Sequence, residues 1–159
     1  MASLPQLIEE DVQQMDAALR ELLTKSEAAA AVIIDKGGFL IAQAGDTNSF
    51  DMTTLAALAA ASFAATQGIA SLVSEHNFSS IYQQGETHSM LVQNVDEYCL
   101  LVVIFKAHMS VGVVKYYAAN TIPIVTQQMK SAHERSPGEG LDLSMINVAD
   151  TADLFRKKQ

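Results

Sequence analysis

Between Asp51 and Glu75 the chain carries no charged side chain, and eight alanines fall between Ala56 and Ala70. Alanine has the best helix propensity, so this run predicts a helix over 52–74. Asp51 is placed to cap it, its carboxylate accepting from the orphan N–H groups of the first turn. At helical spacing Leu55, Leu58, Ile69, Leu72 and Val73 fall within one broad sector, the pattern of a core-facing stripe. The opposite sector holds Thr53, Ala57, Ala60, Ala64, Gly68 and Ser71, with Ala56, Ala60, Ala64 and Gly68 spaced by four. A surface helix should show Lys, Glu or Arg on that side. A bare, small-residue face instead lets another backbone approach closely.

Three readings of this helix compete. A helix buried on all sides needs a large domain, and 159 residues is short for one. A membrane span has the right length, but Thr53, Thr54, Ser62, Thr66, Gln67 and Ser71 dilute it and alanine contributes little to insertion. A protein–protein interface fits both the length and the small residues, and is the preferred reading.

The charge balance narrows the partners. With 18 acidic against 10 basic residues the formal net charge is −8, which disfavours nucleic acid and anionic lipid. The one cysteine, Cys99, allows no internal disulfide, and its apolar surroundings fit a small buried residue better than a nucleophile. The N-terminal MASLPQLIEED lacks the basic start and apolar core of a signal peptide, so the expected location is cytoplasmic.

Residues 5–25 predict an amphipathic helix with Pro5 in its first turn and Glu9, Glu10, Asp11, Asp16, Arg20 and Glu21 on its solvated side. Residues 28–35, the pair Gly37-Gly38 and residues 39–42 predict a hairpin, the glycines supplying the positive φ of a tight turn. After the long helix come strand segments at Phe78–Gln84, Thr87–Gln93 and Glu97–Phe105. The unbroken apolar run Leu100–Phe105 fits a central strand covered on both faces. A last helix is predicted from Ser110 to about Glu134, kinked or broken at Pro123. Residues 136–145 read as loop or linker, and 147–155 as a short amphipathic segment. This order implies an α/β (α+β) domain with one antiparallel sheet and helices on both faces, its strand order left open. The domain is expected over 1–135, with linker and tail over 136–159.

No chemistry accompanies this layout. His76, His88, His108 and His133 are scattered without metal-binding spacing, and no phosphate loop, dinucleotide fingerprint or nucleophile elbow occurs. No catalytic, metal-ligating or cofactor-binding residue is therefore assigned. Not an enzyme but an interaction module is the expectation.

The segments VIIDKGGFLI (32–41), TLAALAAASFAATQGIASLV (54–73) and LLVVIF (100–105) together resemble the roadblock/dynein light chain family, and DLF at 153–155 resembles the end of its bacterial, GTPase-regulating members. The resemblance runs over about residues 8–134. It implies a roadblock/profilin-like fold: a five-stranded antiparallel sheet between one long helix and two terminal helices. It implies a homodimer, with Ala57, Ala61, Phe78, Ile81 and Tyr82 at its interface. The implied partner is a small Ras-like GTPase of the MglA kind, acting in cell polarity and motility, docked on Ala60, Ala64 and Gly68. Hydrolysis would be stimulated by reshaping the GTPase's own switch region, without an arginine finger. The alternative is a dimeric scaffold or sensor domain that leaves hydrolysis unchanged, since a fold does not fix function. A small-molecule binding domain would need a polar-lined cavity.

Overall fold

In the computed structural model, which describes residues 3–136 and 140–141, the chain reverses tightly after Lys36. β2 (Ala30–Asp35) and β3 (Leu40–Gly45) pair antiparallel across the turn. The Phe39 N–H donates to the Asp35 carboxylate at 2.8 Å, and Gly38 takes a φ of 95° that a side chain would strain. Gly38 also lies against the long helix: a Cβ there would stand 2.9 Å from Ala57 Cα. Burial pushes the Asp35 carboxyl up, opposed by the N–H groups of the turn.

Three more strands complete the main sheet: β4 (Ser80–Gln83), β5 (His88–Asn94) and β6 (Cys99–Lys106). Their order is β3-β2-β6-β5-β4, every neighbour antiparallel. β6 is therefore central, and Leu100–Phe105 is buried along its length, as the run without alternation predicts. Ile81, Val92, Val102 and Val32 stand opposite one another across β4, β5, β6 and β2. Because side chains alternate along a strand, these share one face. α2 (Met52–Leu72) covers that face through Ala56, Ala59, Ala60 and Phe63. α1 (Glu9–Ser26) and α3 (Val111–Arg135) cover the other with Met15, Leu19, Val125 and Met129 around Phe105. The expected layering of long helix, five-stranded sheet and two terminal helices is present.

Four local expectations change. Pro5 is not in a helix: Leu4–Pro5 forms a short strand, β1, paired with β7 at Gly140–Leu141. The first helix starts at Glu9, held back because Leu4 and Leu7 insert into the core. β7 also falls inside 136–145, read as loop. Asp11 is not solvated: it is 2% exposed, accepts from the Ile8 N–H at 2.9 Å and forms an ion pair with Arg135. Finally, of the kink or break expected at Pro123 the break is absent: α3 is one helix across it. Proline removes one bond, that to the Ala119 carbonyl. Ala119 and Pro123 are both exposed, so that carbonyl lies on the water side, while Val114, Ala118, Val125 and Met129 stay buried against the core. Residues 147–155 lie outside the described residues.

Candidate protein-interaction face

α2 is held at both ends by its own chain. Asp51 accepts from the Thr54 hydroxyl at 2.7 Å and from the Thr54 N–H at 3.1 Å. Those bonds, the hydroxyl first, hold its carboxyl below the ordinary range. At the far end Ser74 turns left-handed with φ 62°, and the Glu75 N–H returns to the Ala70 carbonyl at 2.9 Å.

The rotation of the helix differs from the expected one. Met52, Ala56, Ala59, Ala60, Phe63 and Ala70 face the sheet. Of the stripe predicted for the core, Leu55 packs against it, but the rest lies outside: Leu58 is 66%, Ile69 51%, Leu72 82% and Val73 57% exposed. Ala60, placed on the small-residue face by its spacing and on the docking site by the resemblance, is 5% exposed and belongs to the domain's own core. The reason is geometric. A four-residue step overshoots one turn by about 40°, so Ala56 to Gly68 is not one face but a strip that winds through about 120°. Its first half faces the sheet, while Ala64 and Gly68 come out on the free side. A Cβ built on Gly68 meets nothing within 4 Å. Phe63 and Met52 were the available signal, because large side chains inside an alanine run mark the side that must fill space.

Ala57 and Ala61 are also exposed, on the same strip as Ala64 and Gly68. The residues assigned to a dimer and to a GTPase are thus divided along the helix axis, not around it. β4 lies beside the C-terminal half: Gln67 Nε2 donates to the Phe78 carbonyl at 3.3 Å. Ile81 packs against the core under α2. Tyr82 points to the opposite face, 39% exposed and stacked on Phe105 at 6.2 Å. β4 is the last strand of the sheet, so its outer edge leaves backbone groups free to pair.

Outward from the sheet, then, one continuous surface consists of an apolar helix ridge, a strip of small residues and an open strand edge. The face contains alanine, glycine and aliphatic side chains, which bind by contact and transfer no proton. Cys99 lies far from it in kind as well as place: it is fully buried, burial pushes its thiol far above the ordinary range, and Sγ contacts Asp96 Oδ1 at 3.3 Å. α2 has the length and apolar character of a membrane-crossing helix, yet its packing on the sheet sets the membrane reading aside.

Comparison with known proteins bears on the fold and family. The Roadblock/LC7 domain family matches residues 15–105. Among solved structures, Myxococcus xanthus MglB is 31% identical with a TM-score of 0.74, covering 80% of this chain and 96% of its own. An MglB with tetrameric arrangement is 27% identical with a TM-score of 0.76, covering 83% and 99%. The gliding protein MglB of Thermus thermophilus is 27% identical with a TM-score of 0.74, covering 82% and 99%. No curated protein matches the chain.

Proposed function

Because the chain belongs to the Roadblock/LC7 family, we propose that it is a cytoplasmic, non-enzymatic regulator of a small Ras-like GTPase, working as a homodimer. The observation that carries this reading is the exposed, uncharged outer face of α2 beside the open edge of β4. Large exposed apolar patches on a soluble domain mark interaction sites. The dimer forms through α2 and β4. In an antiparallel two-fold pairing, Ala57 and Ala61 of one copy meet the C-terminal half of the other α2 and its edge strand. The GTPase docks across the paired helices at Ala64 and Gly68, where the missing side chains let its backbone come close.

This face has no cation to place against a transferring phosphoryl group. Arg20 and Arg135 lie on the α1/α3 side of the sheet, paired with Asp16 at 2.9 Å and with Asp11. Arg156 lies outside the described residues. Stimulation therefore works by positioning the GTPase's own switch residues and not by an arginine finger.

Single-turnover phosphate release tests the proposal, with a purified Ras-like GTPase from the same source, preloaded with GTP. Adding the protein should raise the rate at least ~10-fold, about 1.4 kcal/mol off the barrier. Arg20→Ala and Arg156→Ala should keep that rise. Binding without any change in rate would establish the scaffold reading instead, and absence of binding would overturn both.

A further inference from the structure

The charges around the apolar face of α2 are mostly of one sign. From Gly37 to Phe105 the chain contains no lysine or arginine, but six acids: Asp46, Asp51, Glu75, Glu86, Asp96 and Glu97. That stretch builds α2, β4 and the strands beside them. Asp46 and Asp51 precede α2, Glu75 follows it, and Glu86 lies in the turn between β4 and β5. These four are exposed. Phe50 packs edge to face on His88 at 5.4 Å, which brings the start of α2 and the Glu86 turn to one end of the face. The bond from Gln67 to Phe78 closes the other end, where Glu75 stands. The bases that bound the stretch are Lys36 at the hairpin tip and Lys106, opposite His88 at the end of β6. Two against four exposed acids leave the surround acidic.

These four acids are not neutralised by the fold. Among the described residues none of them forms an ion pair. The three pairs present, Asp16 with Arg20, Glu21 with Lys25 and Asp11 with Arg135, belong to α1 and α3. An interface with an uncharged centre takes its partner choice and its association rate from the charges at its rim. A second copy does not supply the complement, because it brings the same four acids. Antiparallel pairing of the α2 helices would set Asp51 of one copy toward Glu75 of the other and gather more negative charge at each end. The complement is a cationic partner. We propose that the GTPase presents lysine and arginine side chains around an uncharged centre, and that the acidic rim of Asp46, Asp51, Glu75 and Glu86 steers it onto α2. This rests on the regulator reading and gives the chemistry of the surface that its partner carries.

Stopped-flow association of the full-length protein with the GTP-loaded Ras-like GTPase tests this. The association rate should fall ~10-fold or more between about 0.05 and about 0.5 M NaCl, while dissociation changes little, since rim charges act on encounter. Glu75→Lys with Glu86→Lys should lower the low-salt rate by ~10-fold and flatten its salt dependence. Glu27→Lys with Glu134→Lys makes the same change in net charge at exposed sites, just beyond α1 and in the last turn of α3. That control pair should leave the rate and its salt dependence nearly unchanged. Circular dichroism and light scattering check that each variant is a folded dimer. An association rate indifferent to salt and to the rim reversals would overturn this inference alone. So would an equal loss in the control pair, which makes net charge the cause, or a rim variant that falls to a monomer, which puts these acids in the dimer contact. Absence of binding by the parent protein would overturn it together with the regulator reading.

Discussion

Asp11 shows how a residue's role escapes local reading. In sequence it ends the run Glu9-Glu10-Asp11 and looks like one more solvated carboxylate. In the fold it is 2% exposed, and its charge is met by Arg135, which lies 124 residues later, and by the Ile8 N–H. No periodicity encodes a partner that distant. Removing one member of such a pair leaves a buried charge short of a partner. Arg135→Ala should therefore destabilise the protein by on the order of 2 kcal/mol, the cost of an under-satisfied buried group. Replacing both residues, Asp11→Asn with Arg135→Ala, should recover part of that loss. Thermal unfolding of the parent and the two variants checks it. Equal stability of Arg135→Ala and the parent would show that the pair contributes nothing. Arg20 lacks this tie: its bond to Asp16 is on the surface, and such pairs are worth little.

At the scale of elements, α2 was legible and its rotation was not. The charge-free run between Asp51 and Glu75 fixes a helix and its N-cap. When alanine occupies so many positions, however, the apolar pattern hardly prefers one side. The stripe of larger aliphatics then pointed the wrong way, because a residue can be apolar for the sake of a partner as well as of the core. Steric demand decides: Ala56, Ala59 and Ala60 let the helix lie close on the sheet, and Phe63 fills the remaining depth. Charge scanning separates the roles. Ala60→Arg should unfold the domain, since it buries a cation against the sheet. Ala64→Arg and Gly68→Arg should fold. Gly68→Arg should even gain stability, by up to about 0.8 kcal/mol, as arginine favours a helix more than glycine does. Both should lose GTPase binding by ~100-fold or more, because an unpaired charge would be buried at the contact. Circular dichroism and a pull-down read the two effects separately. Normal binding by a folded Ala64→Arg protein would remove this strip from the docking site.

The molecule as a whole has two chemically distinct sides. One antiparallel sheet with helices on both faces was readable from the order of elements, and its division into one helix and two came from the family resemblance. The apolar run of β6 marked a central strand, but its insertion between β2 and β5 was not readable, since a pairing across a long crossover does not name its partners locally. That insertion is what leaves β4 at the edge, next to the C-terminal half of α2, and so creates the proposed dimer surface. Its physics predicts an unusual salt response. Each chain carries a formal −8, so two copies repel. The attraction comes from uncharged groups: full burial of Leu58 or Leu72 is worth about 1.5–3 kcal/mol, and salt does not screen it. Raising NaCl from about 0.05 to about 0.5 M shortens the Debye length well below 10 Å and removes mainly the repulsion. The dimer should therefore tighten with salt, opposite to an assembly held by ion pairs. Light scattering should give twice the 17.1 kDa chain mass at micromolar concentration. Leu58→Asp with Leu72→Asp should return the protein to a folded monomer, since both side chains are exposed in the single chain. A dimer that dissociates as salt rises, or one indifferent to these two aspartates, would place the contact away from α2.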